Sequence, residues 1–269
     1  NFGLEIDKRE KAGETLETTV ISIKKEDIIE ARISGGTAFI TVKLVSEQVN
    51  VVRDANGVTI DGDADWGIVF QQAMADGDVA ISGTSVSTGA VGTPVYFVGL
   101  LTDCTVRIAD VDTLQGGYAY RFNDLSGGSV DIRGGVVAAA WRAVYFADAI
   151  AGTPVSVAGT QVTCPSGVRF EGAISGASPI ALSDLAVSGT YGAYFLQPMT
   201  GGDVRITNAK FTGATSAVLF LDVVTDSAIA LTNVDVSSST HAYDFEKAVI
   251  GGSVAIHGGS ATAGTTAVY

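Results

Sequence analysis

GGSVDIRGG (Gly127 to Gly135) is written again near the far end of the chain as GGSVAIHGG (Gly251 to Gly259), and GGDVRITNA (Gly201 to Ala209) stands between them. The intervals are 74 and 50 residues, close to three and two multiples of 25. A unit of about that length fills the gaps. The pattern V-x-I falls at Val79–Ile81, Val106–Ile108, Val130–Ile132, Val155–Val157, Ile180–Leu182, Val204–Ile206, Ile229–Leu231 and Val254–Ile256. A second phrase keeps the same beat: a small residue, an apolar one, any residue, then Phe. It reads GIVF (67–70), PVYF (94–97), AYRF (119–122), AVYF (143–146), GVRF (167–170), AYFL (193–196), AVLF (217–220) and AYDF (242–245), and AVY (267–269) closes the row. A weaker apolar pulse lies between the two phrases, at Val86, Val136, Val162, Leu185 with Val187, Phe211, and Val234 with Val236.

Alternation over runs this short is the period of a strand, not of a helix. Three short strands cannot bury a core alone. A self-similar period of this length therefore predicts a solenoid, in which each strand pairs with its copy one turn on and inward residues stack into ladders. Gly-Gly recurs because the same corner is turned in each unit, and glycine accepts positive φ without a Cβ penalty. The pattern resembles the right-handed parallel β-helix of the pectin-lyase-like superfamily over roughly residues 50–269, and within it most resembles bacteriophage spike and fibre proteins. The expected fold is all-β, with about nine rungs of 24–27 residues and three short strands per rung.

Residues 1–49 carry no echo of the repeat. TTVISI (18–23) and TAFITVKL (37–44) read as strands, and KKEDIIEARI (24–33) between them as a helical turn. This region is expected to cap the first rung or to attach the solenoid to a larger assembly.

Composition narrows the partners. An apolar fraction of 46% excludes a disordered chain. No apolar run reaches the roughly 18 residues of a transmembrane helix. No basic-then-apolar leader follows Asn1, so no secretion signal is expected from these first residues. Residues 55–269 hold 8 basic against 19 acidic side chains, a net of −11. Such a body repels phosphate backbones and anionic lipid, so neither nucleic acid nor membrane is an expected partner. Two cysteines, Cys104 and Cys164, do not make a disulfide scaffold and read as buried thiols.

Few residues stand in patterns that support catalysis. Glycoside hydrolysis needs two carboxylates on neighbouring rungs about 5–9.5 Å apart. Asp131 and Asp244 fall on different strands, while Asp103, Asp110 and Asp112 fall at corners, where Asp is an ordinary turn residue. His241 and His257 occupy different phases and read as surface histidines. DGDADWG (61–67) places Asp61, Asp63 and Asp65 as at the start of a calcium loop, but Trp66 stands where that loop needs Gly and Gln72 where it needs Glu. Ca2+ there is the one cofactor the sequence suggests, and turn aspartates are the plainer reading.

The most informative feature is a stripe. The third residue of the Phe phrase is expected to point outward. Along the chain it runs Val69, Tyr96, Arg121, Tyr145, Arg169, Phe195, Leu219, Asp244. Tyr96, Arg121, Tyr145, Arg169, Phe195 and Leu219 form the candidate interface, aromatics and guanidiniums at rung spacing. Two partners fit it: sister subunits of a homotrimer, with the stripe as the seam, or a glycan stacked on the aromatic faces. The expected role is a non-enzymatic spike or fibre protein of a virion. The alternatives are a polysaccharide lyase or hydrolase of the same superfamily, and an adhesin or surface-layer protein of a bacterial surface.

Overall fold

The computed structural model describes residues 32–34, 37–39, 50–54, 57–61, 66–70 and 73–268. Every regular element among them is a β-strand. The strands build the parallel β-solenoid that the repeat predicts, in about eight turns. One turn runs through Leu125–Ser126, Ser129–Arg133, Val136–Ala138 and Arg142–Phe146. The next runs through Ile150–Ala151, Val155–Ala158, Gln161–Thr163 and Ser166–Phe170. Each strand pairs in parallel with its copy: Val130 with Val155, Val137 with Val162, Phe146 with Phe170, Ile150 with Ile174.

Two expectations are corrected. The complete turns number about eight rather than nine, as the eight strands of the smallest ladder show. Each turn also has a fourth, two-residue strand besides the three foreseen. That ladder runs through Met74, Leu101, Leu125, Ile150, Ile174, Met199, Val224 and Val249. One apolar residue per turn has no alternating neighbour, so strand periodicity does not reveal it.

The core is a set of columns. Val106, Val130, Val155, Ile180 and Val204 stack in one, Ile108, Ile132, Val157, Leu182 and Ile206 in the next, and all are buried. Eight phenylalanine rings, from Phe70 to Phe245, form a third, with successive centroids 4.4–5.2 Å apart and ring planes within 15° of parallel. Each such pair contributes about 0.5–1.5 kcal/mol beyond the area it buries.

The doubled glycines mark two left-handed corners per turn. One corner is held by Asp103, Gly127, Gly152, Gly176, Gly201, Asp226 and Gly251, all at φ between 50° and 70°. The other is held by Asp110, Gly134, Gly159, Asp184, Asn208, Asn233 and Gly258, at φ between 52° and 66°. Gly, Asn and Asp are the residues that enter this region at least cost. Where Asp stands one turn before Gly, its carboxylate uses the missing side chain's space. Asp103 Oδ1 lies 2.0 Å from the point a Cβ on Gly127 would occupy.

Ahead of the first turn, Arg32–Ser34 pairs antiparallel with Thr37–Phe39, so the expected helical turn over 24–33 gives way to strand at its last two residues. Residues 18–23, 24–31 and 40–44 lie outside the described residues. Asn50–Asp54 and Gly57–Asp61 form a hairpin whose second strand runs parallel to Thr84–Val86. Asp61 ends that strand, while Asp63 and Asp65 lie outside the described residues, so the calcium reading stays an expectation.

Candidate binding face

The Phe strands carry the candidate interface, and their alternation is broken in a way that matters. In Tyr118–Phe122, Ala119 and Tyr120 are both buried, whereas Tyr118 and Arg121 are not. The pairing skips the small residue: Tyr118 registers with Arg142, Tyr120 with Val144, Arg121 with Tyr145. The strand bends there because the small residue turns inward onto the neighbouring ladder. At the equivalent Gly192, a Cβ would meet the Phe211 ring at 2.3 Å and the Ala217 carbonyl at 2.5 Å. The bend brings positions three apart onto one outer face.

That face therefore has two columns. The first is the expected stripe, with one correction. Phe195 is not in it. It registers with Phe170 and stacks between Phe170 and Phe220 inside the solenoid, and Tyr194 takes the outer position opposite Arg169. Gly192, not Ala193, is the small residue of that turn. The second column, three residues earlier, runs Tyr118, Arg142, Ser166, Tyr191, Ser216 and His241.

The columns interlock. The Arg121 guanidinium lies over the rings of Tyr96, Tyr118 and Tyr145, at 4.7, 5.3 and 5.5 Å. Arg142 lies over Tyr145 at 4.4 Å, and Arg169 over Tyr194 at 4.6 Å. Glu171, one position beyond the Phe column, ties the centre together. It accepts from Arg169 Nε at 2.8 Å, pairs with Arg142 at 3.1 Å and accepts from the Tyr145 hydroxyl. Burial pushes the Glu171 carboxyl up, but the Tyr145 hydroxyl and the two guanidiniums outweigh it and hold the group below the usual range. Tyr145 moves the other way, pushed up to about 12 by burial and by its bond to the Glu171 carboxylate. So packed, Tyr145 and Leu219 are 5% and 6% exposed, and the stripe is covered by its own neighbours.

What remains open is a groove of about 280 Å³ beside the stripe. Tyr118, Trp141 and Arg142 line one side, Thr190 and Tyr191 of a later turn the other, and Pro165, Ser166 and Arg169 of the middle turn lie between. Ser166 makes the depression, because it stands where the adjacent turns carry Arg142 and Tyr191. Its Oγ is buried without a hydrogen-bond partner. Trp141 is 43% exposed and meets Tyr118 edge-on at 5.3 Å. The indole rests on Gly117, where a Cβ would fall 2.7 Å from it. Nearby, Cys164 Sγ donates to the Ser166 carbonyl, and burial pushes that thiol up to about 12, so it is an inert packing group.

At the far end of the face Asp244 is buried, accepts from Ser216 Oγ at 3.3 Å and lies 3.1 Å from His241 Nδ1. His241 is thus held within the face rather than standing as a free surface histidine. The alternation rule missed Tyr118, Trp141, Arg142, Glu171, Tyr191 and Tyr194. For Tyr118, Arg142 and Tyr191 the signal available was an aromatic or arginine three residues ahead of a stripe position.

Comparison with known proteins adds one match. A Tim44-like domain family model matches residues 1–74, the segment ahead of the repeats and the first strands. No curated protein and no solved structure matches the chain.

Proposed function

We propose that the protein is a non-enzymatic, spike-type β-solenoid that holds a surface glycan in the groove between Trp141 and Tyr191. The groove carries the reading. Its volume stands near the roughly 300 Å³ lower end of small-molecule sites. Aromatic rings stand on both walls, and polar groups converge between them. Rigid rings supply contact area at low entropic cost, and a sugar presents both apolar faces and hydroxyls. Glu171 favours binding over hydrolysis. A general acid needs a carboxyl raised toward neutral pH, and this one is held low. The resemblance of the repeat to phage spikes favours a virion as the place of display, with residues 1–49 as the attachment region.

Trimer formation is the second element of the proposal. Val91 and Trp141, which meet around Gly117, are 62% and 43% exposed, and apolar groups exposed together mark interfaces. The self-covered stripe favours a seam on this rim over one along Tyr96–Leu219. The deciding experiment is binding of the purified chain to immobilised oligosaccharides of varied composition. Trp141→Ala is expected to weaken retention about tenfold or more, as loss of a central aromatic anchor does. Retention unchanged by that substitution removes the groove from the reading. Light scattering on a sizing column checks assembly, and a monomer retires the trimer.

A further inference from the structure

We infer that the groove selects anionic sugars, those bearing a carboxylate or a sulfate, over neutral ones. This rests on the glycan reading above and sharpens it. The body of the chain holds only eight basic residues against 19 acidic ones from residue 55 onward. Three of the eight, Arg121, Arg142 and Arg169, gather on this one face within three consecutive turns. The carboxylate paired with them is Glu171, bound to Arg142 and Arg169. Three guanidiniums against one carboxylate leave an excess of two positive charges beside the groove. The next acidic groups along the face, Asp244 and Glu246, belong to the turn of Phe245, three turns beyond Glu171.

The donors are not used up. A guanidinium carries five N–H donors in a planar fork suited to carboxylate or sulfate oxygens. Arg142 donates to the Tyr118 hydroxyl and pairs with Glu171, and Arg169 spends Nε and Nη2 on Glu171. Most of their N–H groups remain, and both side chains line the groove. Arg121 stacks on three tyrosine rings, and its buried Nε has no hydrogen-bond partner. Glu171 demonstrates the recognition in miniature, as a carboxylate gripped by two arginines and a tyrosine hydroxyl. A ligand anion above it would meet the same guanidiniums from the open side, while its sugar ring stacks on Trp141 or Tyr191. Electropositive walls in an acidic molecule also confine the anion to this groove, since the rest of the surface repels it.

The test is isothermal titration of the full chain with three oligosaccharides of equal length: a uronic-acid oligomer, a sulfated oligomer and a neutral glucan. At low salt, at least one anionic oligomer is expected to bind about tenfold or more tightly than the glucan, as charged hydrogen bonds allow. That preference should shrink as salt is raised, because part of the groove is open to solvent. The carboxylate and sulfate arms show which anion the forks prefer. Arg169→Gln should weaken binding of the anionic oligomer by a larger factor than binding of the glucan. The salt series on the unsubstituted protein reads the same property without relying on a variant that folds. Equal affinity for all three, insensitive to salt but abolished by Trp141→Ala, overturns the anion inference and leaves the glycan groove standing. No binding of any oligomer overturns both.

Discussion

At the residue scale, the Tyr145–Glu171 contact concentrates the electrostatics of the face. Glu171 is held below its ordinary value of 4.5, so its stabilising contribution is present above that value and is lost as pH falls through the lowered one. Glu171→Gln should therefore narrow the gap between melting temperatures at neutral and strongly acidic pH, compared with the parent protein. An identical acid dependence in the two proteins would show that Glu171 contributes nothing to it. On the alkaline side the sign reverses. Tyr145 stays protonated in the folded chain up to about 12, whereas the unfolded chain ionises near 10.0. Its contribution is intact below 10.0 and disappears as pH rises through about 12. Tyr145→Phe should remove one late-titrating phenol from the absorbance titration. In the core, Phe146→Ala opens the middle of the ring stack and should cost about 3–5 kcal/mol in denaturant melts.

At the element scale, the corners decide which residues each turn tolerates. Asn208 sits at φ 52° and donates its amide to Asp184, and Asn233 donates in turn to Asn208. Asn208→Ala places a Cβ-bearing side chain with no local hydrogen bond in the left-handed region and should cost about 1–2 kcal/mol. Asn208→Gly should cost less, because the φ penalty vanishes and only exposed ladder bonds are lost. Equal losses for the two would assign the cost to the ladder rather than to the backbone. The corners and the inward columns were legible in the sequence because stacking makes each position resemble its own copy 24–27 residues away. The phase of one turn was not. In GAYFL (192–196) both Gly192 and Ala193 satisfy a rule that asks for a small residue. Only steric demand separates them, since Phe211 one ladder away leaves no room for a Cβ at 192. The groove was illegible for a related reason. Strict alternation puts Tyr118 and Arg121 on opposite faces, and the inward bend at Ala119 places them on one.

At the scale of the whole molecule, each turn touches the turn before it and the turn after it. Within the solenoid, pairings join strands one turn apart, as in the run from Val79 through Val106, Val130 and Val155 to Ile180. Stability in such an array is a sum of unit and neighbour terms. Hydrogen exchange on Phe146→Ala should therefore lose protection over the turns carrying Phe122 and Phe170 and keep it near Ile229 and Tyr243. Uniform loss along the chain would mean that the solenoid opens as one cooperative body. The acidic charge is also a property of the whole molecule. Net negative charge works against non-specific association of such surfaces, and on the reading proposed above it leaves the arginine face as the place where an anion gains by approaching.

The eight parallel phenyl rings and the hydrogen bonds beside them run along the axis of the coil. Under tension along that axis, the bonds within one turn-to-turn plane share the load, while successive planes bear it in series. Adding turns makes such a rod more compliant but not weaker. Its breaking force is that of its least cohesive plane, and rupture leaves two rods whose remaining turns are intact.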